Sequence, residues 1–206
     1  GAGLYEYSCK IPHGSSPEQI LDITAGCVAS AKPGEWITGR AYDASSFGDT
    51  PPNKEMLDTV APENPVAFTD ISGHSSWVNS KALEIAGITD ATPNPEGGII
   101  ERAKSGEATG VLRERAAGLI RMHVPPPSAE KNYAALKWSL DKLLAWGITA
   151  FDDAALGEAG AIAYAALADN GELKQHVRGC IMSTRMDWVA PWNYYARERF
   201  SPSCVK

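Results

Sequence analysis

Residues 148–184, ITAFDDAALGEAGAIAYAALADNGELKQHVRGCIMST, decide the fold class. They open on an apolar run that ends at Asp152-Asp153 and continue into an alanine-rich segment stopped by Asn170-Gly171. A second β-like run, HVRGCIMST, follows. Strand, helix and strand at this pitch make a βαβ unit, in which a helix crosses between two parallel strands. The alternation extends outward. Upstream, Ser128 caps a long helix with Tyr133, Leu136, Leu140, Leu143 and Leu144 on one side, and Gly147 closes it. Downstream, WNYYARERF (192–200) predicts a helix and SPSCVK (201–206) the start of a strand. This part of the chain therefore reads as α/β, either a parallel sheet or units of a (β/α) barrel.

The first half has another texture. Ser16-Pro17-Glu18-Gln19 has the form of a helix start, with a capping serine, proline at the first helical position and Gln19 placed to reach back. Ile20, Ile23, Cys27, Val28 and Ala31 recur on one face, and Lys32-Pro33-Gly34 ends the helix. EWITGRAY (35–42) and PVAFTD (65–70) predict strands, with a helix capped by Asn53 between them. SGHSSWVNS (72–80) reads as a loop entering a short helix that Gly87 stops. GGIIERAKSGEATGVL (97–112) predicts a β-hairpin turning at Ser105-Gly106. Pro125–Pro127 form a stiff connector, which divides the chain into an α+β part, 1–125, and a βα part, 126–206.

Composition narrows the function. The 206 residues hold 19 Lys and Arg against 25 Asp and Glu, a net charge of −6. Nucleic acid and a polybasic membrane contact are thereby disfavoured as partners. No apolar run approaches the roughly 18 residues of a spanning helix. GAGLYEYSCK lacks the basic-then-apolar order of a signal peptide. Cys9, Cys27, Cys180 and Cys204 are scattered, with no CxxC pair. Such spacing argues against a zinc knot or a disulfide framework, and it predicts a reducing, cytoplasmic compartment.

His13, His74, His123 and His176 share no HxH, HxxH or HxxxH spacing, so the sequence contains no local zinc motif. GxSxG, P-loop and GxGxxG motifs are absent as well. Strand carboxyl ends are then the places to search, because barrel enzymes put their chemistry there. Asp153, ending ITAFDD, is either the cap of the next helix or a carboxylate at a barrel mouth. Arg185, after HVRGCIMST, is either a solvated loop arginine or a receiver for an anionic group, with the solvated role favoured. In the loop at 72–80, Asn79 or Ser80 accounts for the helix cap. His74 and Trp77 have the composition of a ligand-binding wall, although a tryptophan there also serves as a roof over the core. The chain stops at Cys204-Val205-Lys206 as a strand begins. A closed barrel takes eight units and roughly 250 residues, so an internal segment of a longer protein is expected.

Four stretches in order, GEWITGRAYD, LDTVAPENPVAFTDISGHSSWVNSKALEIAGIT, NPEGGIIERAKSGEATGVLRERA and LLAWGITAFDDA, resemble the family-three branch of the metal-dependent amidohydrolases, which includes N-substituted formamide deformylases. The resemblance implies a (β/α)₈ TIM-barrel hydrolase, with residues 126–206 as early βα units and 1–125 as an α+β insertion holding the hairpin. It implies one or two divalent ions, zinc foremost, and hydrolysis of an amide- or formamide-type C–N bond in a small molecule. Family metal ligands are an HxH pair on the first strand, a lysine on the fourth that is often carboxylated, histidines on the fifth and sixth, and an aspartate on the eighth. Only Lys206, if carboxylated, matches one of these. His74, Trp77, Asn79, Glu114 and Asp153 are the expected substrate-contacting residues. The rival reading is a non-catalytic half-barrel that binds or assembles, hiding its open sheet edge in a homo-oligomer.

Overall fold

The computed structural model describes residues 2–182 and 192–205. It divides into two units, Ser8–Pro126 and a second made of Gly1–Tyr7 with Pro127–Lys206. In chain order the elements are α1 (Ala2–Glu6), β1 (Cys9–Lys10), α2 (Pro17–Ala29), β2 (Ile37–Tyr42), α3 (Lys54–Asp58), β3 (Val66–Asp70), β4 (Ser75–Val78) and α4 (Ser80–Ile85). They continue with β5 (Gly98–Arg102), β6 (Ala108–Glu114), α5 (Ala117–Arg121), α6 (Ala129–Ala145), β7 (Ala150–Leu156), α7 (Glu158–Asp169), β8 (His176–Ile181) and β9 (Phe200–Val205).

Helix starts follow local side-chain chemistry. Ser16 and Gln19 form a reciprocal capping box on α2. The Asn53 side chain accepts from Met56 N at α3, Asn79 from Ala82 N at α4, and Ser128 from Lys131 N at α6. Each cap satisfies a backbone donor that the first helical turn leaves without a partner.

Ser8–Pro126 is built on a six-stranded sheet of order β1-β2-β3-β4-β6-β5. The first three strands are parallel, and the remaining pairings are antiparallel. Gly39 and Gly110 show why glycine stands at close approaches in this sheet. A Cβ on Gly39 would lie 2.5 Å from the Cys9 carbonyl oxygen and 2.8 Å from the Phe68 ring. Gly110 sits at φ +91°, where a Cβ would also meet the Val78 carbonyl oxygen at 2.4 Å.

Two features depart from the sequence expectation. Ser75–Val78, within the stretch read as a loop, is strand β4, held between β3 and β6. All four residues are buried, so the polar–apolar alternation that marks a half-exposed strand is missing. The second departure is covalent. Cys9 and Cys27 are joined by a disulfide, because α2 carries residues 18 apart in sequence to a Cα separation of 5.8 Å. Cys180 is disulfide-bonded too, and no described cysteine is free. Wide spacing was therefore a poor guide, and the ground for placing the chain in a reducing compartment is removed.

In the other unit, β7, β8 and β9 form a parallel sheet in that order. Helices α6 and α7 cover one face, where Leu140, Tyr164 and Leu167 pack with Leu156, Val177 and Phe200. Tyr164 stacks on Phe200 with ring centroids 4.9 Å apart. The strand–helix–strand expectation holds, with two corrections. Strand β7 runs past Asp153 to Leu156, and Gly157, not Asp153, caps α7. WNYYARERF is not a helix: a 3₁₀ turn spans Trp192–Tyr195, and Arg197 then bridges back to Phe200. Among the described residues, no helix is long and apolar enough to cross a membrane.

Candidate functional site

In open α/β sheets, ligands gather outside the carboxyl ends of the parallel strands. In Ser8–Pro126, β6 runs in the same sense as β1–β3, since each is antiparallel to β4 or parallel to its neighbour. The ends of β2, β3 and β6 therefore bring Tyr42, Asp70 and Glu114 to one edge. The loop after β1 adds His13, which lines a surface cavity of about 470 Å³ with Ser15, Gln19 and Asp22. The loop after β2 adds Asp43, whose carboxyl lies below its ordinary range because Ser45 donates to it twice and His13 stands nearby.

Asp70 organises the loop after β3. Its carboxylate accepts from the Ser72 hydroxyl at 2.7 Å and from Ser75 N at 3.0 Å, and its carbonyl accepts from Gly73 N. Ser72 Oγ in turn accepts from His74 N. The loop thus presents His74 beside the end of β6, where Glu114 N donates to the His74 carbonyl at 2.7 Å. His74 Nδ1 lies 3.0 Å from Glu114 Oε2, with both side chains well exposed at 66% and 59%. Glu114 holds φ +52°, the left-handed region that residues other than glycine enter at a cost. Hydrogen bonding to Glu114, then its charge, raises the His74 pKa above the ordinary 6.5, and Asp70 adds to the effect. Burial and the Asp70 carboxylate push the Tyr42 phenol up as well.

The sign of the His74 shift gives a measurable consequence. A raised folded-state pKa means that the pair's stabilisation is fully present below about 6.5 and is lost as pH rises through the folded value. Titration of the His74 ring by NMR should give a midpoint above that of Glu114→Gln, in which it should fall back toward the ordinary value. Equal midpoints would show that the two side chains do not pair in solution.

Trp77 and Asn79 are corrected as substrate contacts: neither retains solvent-accessible surface. Trp77 packs against Tyr42, Phe47 and Phe68, with centroids 5.6, 5.2 and 6.2 Å away, and its Nε1 donates to the Asn53 carbonyl at 2.8 Å. Asn79 Oδ1 accepts from Val66 N and Ala82 N, and its Nδ2 donates to the Ala61 and Asn64 carbonyls, all within 3.1 Å. No polar atom of either side chain is left for a ligand.

Asp153 belongs to the other unit and faces the helices rather than a mouth. Its Oδ2 accepts from the buried Tyr164 hydroxyl at 3.3 Å, and it lines a cavity of about 280 Å³ with Leu4, Asn132, Leu136, Ser139 and Tyr164. The neighbouring Asp152 lies on the uncovered face, paired with Arg178. Together with His176, Glu198, Arg199 and Ser201 they line a cavity of about 620 Å³. His176 Nε2 is 3.3 Å from Arg199 there. Sequence reasoning missed Arg178 and Arg199, although His176 and Arg178, two residues apart in a strand, share a face by its period of two. Lys206 and Arg185 lie outside the described residues. Among the described residues, no group of three or more His, Cys, Asp or Glu could hold a metal ion. They do not fit the metal centre that the resemblance implies, and no reaction step through a metal follows from their geometry.

A chain of parallel βαβ units with polar side chains collected at strand ends and on an open sheet face belongs to the α/β class. Residues 1–201 match the model described as the amidohydrolase family, and the chain belongs to that family. It is 34% identical over 151 residues to the N-substituted formamide deformylase of Arthrobacter pascens, covering 71% of this chain and 28% of that protein. It is 33% identical over 139 residues to protein LONG AFTER FAR-RED 3 of Arabidopsis thaliana, covering 68% and 24%. The chain thus spans about a quarter of the length of these relatives. An uncharacterized metal-dependent hydrolase from Pyrococcus furiosus shares the fold, with a TM-score of 0.65 at 20% identity over 99% of this chain and 40% of its own.

Proposed function

We propose that the protein containing this chain hydrolyses a non-peptide C–N bond of a small amide or formamide, using a divalent metal, zinc foremost. The observation that carries this reading is the match of nearly the whole chain to the amidohydrolase family, with a formamide deformylase among its relatives. The parallel β7-β8-β9 sheet, covered by α6 and α7 on one face, has the form of successive (β/α)₈ barrel units, which supports it. In this reading Ser8–Pro126 is the insertion, and His74 with Glu114 forms its substrate-facing pair, since an exposed hydrogen bond is easily exchanged for one to an amide. The metal would be held by residues other than the described ones, with carboxylated Lys206 as one ligand.

Release of amine and acid from a panel of N-substituted formamides and small amides tests the proposal. Chelation should abolish turnover and zinc should restore it. Lys206→Ala should lower kcat by at least about 100-fold, whereas His74→Ala should raise KM with kcat nearly unchanged. Turnover that survives chelation and Lys206→Ala, or no C–N cleavage of any member by the zinc-loaded protein, would sink the reading.

A further inference from the structure

We infer that the Cys9–Cys27 disulfide is a redox-operated fastener, whose reduction frees β1 and the loop after it from α2 while the rest of the six-stranded sheet stays folded. This inference rests on Ser8–Pro126 alone and does not depend on the hydrolase reading.

Strand β1 is two residues long and lies at the edge of the sheet, where Cys9 pairs with Gly39 and Lys10 with Arg40. The disulfide ties this short strand to α2 across 18 residues of sequence. The span it closes contains Pro12–Ser15, the wall of the 470 Å³ cavity at the carboxyl end of β1. Ile11 and Ile20 anchor the two ends of the loop in the core, and between them Pro12, His13, Gly14, Glu18 and Gln19 are exposed. The remainder of the sheet has ties of its own, within a core that also takes in Cys9, Ile11 and Ile20. Strands β3, β4 and β6 share continuous ladders, Asn79 ties Val66 to the turn at Ala61–Asn64, and Trp77 fills the core beside them. A cross-link that restrains a local loop should, when cut, release that loop first.

The two sulfurs are unequally placed for exchange. Cys9 is only 6% exposed, whereas Cys27 is half-buried beside the exposed Gly26. A solvent-borne thiolate therefore attacks Cys27 Sγ, forming a mixed disulfide there and expelling Cys9 as a thiolate that takes up a proton. With a dithiol as reductant, its second sulfur then displaces Cys27. One S–S bond is broken in the protein and one is formed in the reductant, and two electrons and two protons pass to the cysteines. A disulfide oxidant such as oxidised glutathione reverses the exchange.

The test is carried out on the 206-residue chain. Alkylation and mass spectrometry without reductant should find Cys9 and Cys27 unmodified, and with dithiothreitol both should be modified. Glutathione, a monothiol, should leave its adduct on Cys27. On reduction, amide hydrogen exchange across residues 9–29 should accelerate about tenfold or more, with 66–78 and 108–114 unchanged. The melting temperature should fall by roughly 10 °C, and oxidised glutathione should restore both properties. A Cys9→Ala/Cys27→Ala double variant, which keeps the Cys180 disulfide, should match the reduced chain in hydrogen exchange across residues 9–29; if it does not fold, reversible reduction of the unaltered chain decides the matter. Free thiols at Cys9 and Cys27 in the air-oxidised chain would overturn the inference. So would exchange that reduction leaves unchanged, or that it accelerates evenly across the whole sheet.

Discussion

Asn79→Ala is expected to destabilise Ser8–Pro126 by about 3–5 kcal/mol, well beyond the usual cost of losing a helix cap. The cap is only one of four hydrogen bonds this side chain makes, and it has no exposed surface. Removing it strands the N–H groups of Val66 and Ala82 and the carbonyls of Ala61 and Asn64 away from water. A buried donor or acceptor left unmade costs roughly 1–3 kcal/mol, although such costs do not add fully. Asn79→Asp should be comparably damaging at neutral pH, because a carboxylate can receive the two N–H groups but repels the two carbonyls. Ser80→Ala, which loses a hydroxyl bond to Asp58 nearer the surface, should cost only about 1 kcal/mol. Urea unfolding of the three variants measures the ranking. A loss below about 1 kcal/mol for Asn79→Ala would show that water or backbone movement rescues these groups.

The second large effect is expected at Trp77. Truncation to alanine should cost about 3–5 kcal/mol, since it opens a cavity between Tyr42, Phe47 and Phe68. Trp77→Phe should cost nearer 1–2 kcal/mol, from lost volume and the missing Nε1 bond to Asn53. In the active protein, Trp77→Phe should leave KM unchanged at temperatures where the fold is intact. A raised KM with unchanged stability would instead place the indole against substrate.

What the sequence disclosed divides along the range of the physics. The caps at Ser16, Asn53 and Ser128, and a fourth narrowed to Asn79 or Ser80, were legible because a cap is settled within a few residues. The βαβ order of the second half was legible for a related reason: helix and strand periods differ, and glycines punctuate them. Strand β4 was not, since burial on both faces erases its alternation, and its two serines look like loop residues. The Cys9–Cys27 bond was equally hidden, because the path of α2 sets that distance and the spacing carries no trace of it. His74 could be nominated from its loop beside Trp77, and Glu114 only through the family resemblance. Their pairing across 40 residues of sequence depends on strand order in the sheet. Asp152 and Asp153 show the limit most plainly: adjacent in sequence, they face opposite sides of β7, and the bulge beyond them shifts the register.

Glu114 has a bearing on how this protein would respond to selection for heat resistance. Among the described residues it is the only one other than glycine with a positive φ, and it sits at the tip of β6 with its carboxylate on His74. Glycine at that position would relieve about 1 kcal/mol of backbone cost. The gain would exceed what so exposed an ion pair returns. A stability screen would therefore be drawn to erase the side chain that gives this edge its paired histidine and carboxylate. Sturdier variants with glycine at 114 that turned over substrate poorly would mark the spot where durability and use pull the chain in opposite directions.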